Sequence, residues 1–211
     1  LSSRRRSLRY VALASAALAQ DFRVADYKTG IGWKEPPLVS SDAVLTPPPS
    51  DAIVLFDGKN LDAWEGAEWD VTDGVMTVTP GSGSIRTKQK FGSIQLHLEF
   101  ATPPLRLDED GNPVEFGQMR GNSGLFFMDH YELQILDSYE NTTYFDGQCG
   151  SIYKQLPPMV NVSKAPGEWQ SYDVIFHRPI FRVENDQIAE VVRPATITAF
   201  QNGVLIVDNW A

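Results

Sequence analysis

From residue 93 to residue 101 the chain alternates without a break. Ile94, Leu96, Leu98 and Phe100 interleave with Ser93, Gln95, His97 and Glu99. Side chains switch faces at every residue of a strand but recur every 3.6 residues on a helix, so this period of two predicts a half-buried strand. Residues 122–137 obey the same period, as two strands with a tight polar connection at Asp129-His130. In the second of these, Tyr131, Leu133 and Ile135 share one face, and Glu132, Gln134 and Leu136 the other. The first face needs a core. The second carries a carboxylate and a carboxamide about 7 Å apart, a polar pair on a rigid element that suits either a hydroxyl-rich ligand or a solvated outer face.

No stretch keeps a helical period over three turns. Eleven Phe, seven Tyr and five Trp, with sixteen Gly and fourteen Pro, favour short strands and turns. Residues 69–78 read as a hairpin through Asp73-Gly74, and residues 195–207 as one through Asn202-Gly203, dipeptides that accept the left-handed backbone a two-residue turn demands. Further strands are predicted at 84–87, 151–153 and 169–177, and long loops at 102–121 and 141–150. A loop of twenty residues in a compact domain is more often functional than idle. The fold class is all-β, a sandwich or jelly roll of antiparallel sheets, in one domain from about residue 53 to 211.

Two segments precede that domain. Residues 1–19 combine the basic Arg4-Arg5-Arg6-Ser7-Leu8-Arg9, an apolar run too short to span a bilayer and a small Ala17-Leu18-Ala19 site, the pattern of a secretory signal peptide. No transmembrane segment is expected, and the expected location is exported: periplasmic, cell-surface or extracellular. Residues 20–52, with Pro36-Pro37 and Pro47-Pro48-Pro49, read as an extended lead-in. A net charge of −9 argues against general nucleic-acid binding, which depends on clustered Lys and Arg. Cys149 is the single cysteine. It reads as a small packed hydrophobe rather than a reactive thiol.

No phosphate-binding or dinucleotide-binding glycine pattern, no paired cysteines and no serine-hydrolase elbow occur. The three histidines, His97, His130 and His177, are scattered. Two-carboxylate glycoside hydrolysis wants carboxyls about 5–5.5 Å apart in the retaining case. Here Gln134 stands where the partner of Glu132 would, and Asp137 falls on the opposite face unless a bulge intervenes.

Several segments in series carry a resemblance. Leu55-Phe56-Asp57-Gly58-Lys59-Asn60-Leu61-Asp62-Ala63-Trp64, Asn122-Ser123-Gly124-Leu125-Phe126, Tyr131-Glu132-Leu133-Gln134-Ile135-Leu136-Asp137 and Pro166-Gly167-Glu168-Trp169-Gln170 resemble the 3-keto-disaccharide hydrolase domain, long catalogued as a domain of unknown function. The likeness runs from about 53 to 208. It implies a concanavalin-like jelly roll of two antiparallel sheets with sugar chemistry on the concave face. Members usually continue past the Asn-Gly hairpin into a further strand, so either the sequence is a fragment or a sheet edge is open, through which copies could join as a homo-oligomer.

The chemistry implied is elimination rather than oxocarbenium chemistry. A ketone at C3 acidifies the C2 proton, a base removes it, and the enolate expels the glycosidic oxygen at C1. One base, one enolate stabiliser and one acid suffice. On this resemblance Glu132 is the base or a ligand, Asn122 and Gln134 orient sugar hydroxyls, and Arg120 stabilises the enolate. His130 or Asp137 is a second proton carrier, with a structural role the leading reading for Asp137. Tyr153 and Lys154 stand at the rim. The partner is a carbohydrate; no cofactor is certain, and a divalent metal is an option. A carbohydrate-binding module without catalysis and a structural subunit of an assembly are the rival readings.

Overall fold

The computed structural model describes residues 32–38 and 48–211, apart from residue 67. The leader-like segment 1–19 and most of the proline-rich lead-in lie outside the described residues. The described residues form twelve short strands and two single 3-10 turns joined by loops, and the fold is the expected all-β jelly-roll sandwich.

Its main layer is a four-stranded antiparallel sheet. The strands run in the order β12 (Val204–Trp210), β11 (Thr196–Gln201), β8 (Gln170–His177) and β5 (Ile94–Phe100), so β12 and β5 are its edges. The alternation in β5 holds: Ile94, Leu96, Leu98 and Phe100 pack on the core, while Gln95, His97 and Glu99 face out. The opposing layer is the hairpin β6 (Ser123–Phe127) and β7 (Tyr131–Ile135), extended beyond β7 by a bridge from Leu133 to Ile152. Aromatic rings fill the space between the layers. Phe127 stacks on Phe176 at 4.9 Å, Tyr131 reaches both Phe176 and Trp210, and Phe100 tilts against Tyr172 at 4.8 Å. Fully burying a side chain of this size contributes about 1.5–3 kcal/mol.

Smaller pieces flank the sandwich: β1 (Trp64–Gly66) pairs with β4 (Ile85–Thr87), and β2 (Asp70–Thr72) with β3 (Val75–Thr77). Unexpected from sequence is the hairpin of β9 (Ile180–Glu184) and β10 (Gln187–Arg193), exposed along its whole length. Its turn, Asn185-Asp186, has both residues in the left-handed region, as such a two-residue turn requires. Two expectations shift. The connection between β6 and β7 is centred on Met128 and Asp129, both left-handed, with the His130 amide donating to Phe127 O. Residues 151–153 form no strand; Ile152 makes isolated bridges to Leu133 and Leu156. Cys149 is packed in the core, and burial pushes its thiol up, away from reactivity. No helix among the described residues is long and apolar enough to cross a membrane.

Candidate active site

The outer face of β7 is not the wet face that alternation allowed. Gln134 is only 1% exposed, because residues 117–122 and 144–153 fold over it. Cross-strand register orders this face. Phe126 lies opposite Glu132, and Gly124 opposite Gln134. On the other side of β7, the Leu133–Ile152 bridge sets Tyr153 beside Glu132, and the Tyr153 amide donates to Glu132 O at 3.0 Å. Phe126 and Glu132 are cross-strand neighbours, with Cβ atoms about 4.5–5.5 Å apart, and the chain turns at Tyr153 beside the Glu132 backbone.

Gly124 makes the room that Glu132 occupies. A Cβ at that position would lie 2.9 Å from Glu132 Cγ and Cδ and closer still to Oε1. The carboxylate is thus laid against bare backbone. It is half-buried, has no hydrogen-bond or ion-pair partner among the described residues, and burial pushes its pKa up. An unpaired, partly desolvated carboxylate is poised to accept a proton.

Around it stand carboxamides and phenols. Gln118 Nε2 donates to Thr143 Oγ1 at 2.9 Å and to Gly147 O at 2.8 Å, while its Oε1 accepts from Gln134 Nε2 at 3.1 Å and from Asn122 Nδ2 at 3.4 Å. That set fixes how the Gln134 amide is turned and leaves its Oε1 a buried acceptor with no donor. On the far side, Tyr144 and Tyr153 share a hydroxyl hydrogen bond of 2.6 Å. Lys154 Nζ sits 3.2 Å from the centre of the Tyr144 ring and 3.8 Å from Asp146 Oδ1. Burial pushes the Lys154 ammonium down, and the Asp146 charge partly offsets it.

Of the residues singled out from sequence, Glu132, Gln134, Asn122, Tyr153 and Lys154 gather here. Arg120 and Asp137 do not. They face each other at 6% and 2% exposure, with Arg120 Nε and Nη2 donating to Asp137 Oδ2 at 2.9 and 2.5 Å and further bonds to the carbonyls of Tyr139 and Glu140. His130 stands exposed at the turn, edge-on to Tyr131. Sequence reasoning missed Gln118, Tyr144, Asp146 and the clearance at Gly124. Only the length of the two loops that carry the first three signalled them. No group of three or more His, Cys, Asp or Glu among the described residues is placed to hold a metal ion. The groups around Glu132 are carboxamides and phenols.

Comparison with known proteins agrees with this architecture. The model of the 3-keto-alpha-glucoside-1,2-lyase-like domain matches residues 51–211. A crystal structure from Parabacteroides distasonis, described as a "putative glycosyl hydrolase", is 44% identical, with a TM-score of 0.70 over 83% of this chain and 74% of that one. A second structure of that description from the same organism is 17% identical with a TM-score of 0.45 over 74% and 70% of the two chains, and bears on nothing here. No curated protein matches the chain. On the family match, which spans the whole sandwich with Glu132 and its surroundings, the chain belongs to the 3-keto-alpha-glucoside-1,2-lyase-like domain family.

Proposed function

We propose that this protein binds a 3-keto-glycoside and cleaves it by proton abstraction at C2, with Glu132 as the base. The observation that carries the reading is the Glu132 carboxylate itself: unpaired, half-buried and cleared by Gly124. The C2 proton passes to Glu132, the electron pair forms the enolate on O3, and reversal of that charge forms the C1–C2 double bond as the C1–O bond breaks. Water then adds at C1 to give the free keto-sugar. Gln134 and Asn122, tied together through Gln118, orient the sugar. Arg120, engaged by Asp137, holds the loop that carries Gln118 and Asn122 rather than meeting the enolate. One carboxylate suffices as the base of this chemistry, beside an enolate stabiliser and an acid, whereas two-carboxylate hydrolysis needs a second carboxyl facing it.

The experiment is turnover of a chromogenic 3-keto-glucoside by wild type and Glu132→Gln, with and without chelator. A loss of roughly 10²–10⁴-fold in the variant is expected for removal of a general base. Retained sugar binding with no turnover by folded wild type would turn the assignment to a binding module.

A further inference from the structure

The elimination needs an acid for the departing oxygen. Of the two proton carriers expected from sequence, Asp137 is spent on Arg120, and His130 stands exposed at the turn. The backbone of Tyr153 lies beside that of Glu132, its amide donating to Glu132 O at 3.0 Å. The Tyr153 hydroxyl is 2.6 Å from that of Tyr144, and the Tyr144 ring is held on one side by the Lys154 ammonium, 3.2 Å from its centre. Gly147 leaves room for that ring, since any Cβ there would overlap it. Lys154 reaches this place from a left-handed backbone, φ 61°, a conformation costly for a long side chain and kept where the surroundings demand it. The pair is built, not incidental.

We propose that Tyr153 delivers the proton to the glycosidic oxygen as the C1–O bond breaks, with Tyr144 and Lys154 as positioning residues. This rests on the 3-keto-glycoside reading. The C1–O bonding pair leaves with the aglycone oxygen and takes the Tyr153 phenolic proton, giving a neutral alcohol and a phenolate. Tyr144 donates its O–H to that phenolate, and the Lys154 cation lowers its energy across the ring. Glu132 ends the step protonated and Tyr153 deprotonated, so solvent returns one proton from the first to the second.

The test compares kcat/KM for 3-keto-glucosides bearing methyl, phenyl and 4-nitrophenyl aglycones, in the full chain and in Tyr153→Phe, Tyr144→Phe and Glu132→Gln. An acid matters most where the leaving group is poor. Tyr153→Phe is expected to lose roughly 10²–10⁴-fold on the methyl compound and less than about tenfold on the nitrophenyl one, and to lose the alkaline limb of the pH profile. Tyr144→Phe should keep that order with smaller losses and a displaced alkaline limb, which a merely structural role would not move. An equal loss by Tyr153→Phe on all three compounds, or none, overturns the acid role, while a Glu132→Gln defect keeps the 3-keto-glycoside reading alive. Wild type inert on all three overturns both.

Discussion

Glu132 is held where it is useful rather than where it is comfortable. Burial raises its folded pKa above the unfolded value of about 4.3, so the folded state binds more protons in that interval. Stability is therefore highest below the unfolded pKa and falls as pH rises through the folded one. Glu132→Gln removes that loss. The variant is expected to melt roughly 1–3 °C higher than wild type at pH 7, with no difference below about pH 4, as followed by circular dichroism. A variant that melts lower at pH 7 would mean the carboxylate has a stabilising partner. The same titration sets the acid limb of activity, which rises as Glu132 ionises.

At the scale of elements, the hairpin β6–β7 works because a glycine faces its carboxamide. In Gly124→Ala the new methyl would displace Glu132, whose flexible end can swing aside. Folding should change little, by a few degrees at most on the scale of about 1 kcal/mol, yet kcat/KM should fall roughly 10²-fold, the cost of misplacing a reacting group by about 1 Å. Paired melts and rate measurements on one preparation would show whether the two part company. The other pairing, β5 with β8, sets His97 opposite Asp173 on the outer face, at 2.7 Å. Burial pushes His97 down, but the hydrogen bond and charge of Asp173, then of Glu99, more than offset it, and the net shift is upward. A raised histidine stabilises fully below its unfolded value of about 6.5 and loses that contribution as pH rises through the folded value. Asp173→Asn should thus melt slightly below wild type at pH 6 and level with it at pH 9. An equal gap at both pH values would locate the effect elsewhere.

For the molecule as a whole, loops rather than strands enclose the site, and one buried ion pair ties them. Arg120 closes on Asp137 and on two carbonyls of the following loop. Arg120→Met leaves Asp137 charged and buried without its cation, held only by the Tyr139 amide at 3.1 Å, a change that costs about 3–5 kcal/mol. Denaturant unfolding should show that loss, with much of it recovered when Asp137→Leu is added. A single variant within about 1 kcal/mol of wild type would mean that the loops hold without the pair.

Period-two alternation was enough to place β5 and β7 and to choose their core faces, because burial on one side of a strand is a local demand. The Asp-Gly and Asn-Gly dipeptides likewise located two hairpins, since those residues adopt the left-handed backbone of a two-residue turn most readily. The β9–β10 hairpin escaped because Asn185-Asp186 is a weaker turn signal and neither strand is buried. Glu132, Gln134 and Asn122 were legible as polar residues on a strand or at its entry. Their surroundings were not. Gln118 and Tyr144 lie 14 and 12 residues from Glu132 in sequence, in loops with no period to read, and it was the folding of those loops over β7 that buried Gln134 and set Tyr153 against Tyr144. The partnership of Arg120 with Asp137 was settled in the same way. A charged side chain takes whichever opposite charge the chain path brings within reach, and path is a property of the whole fold.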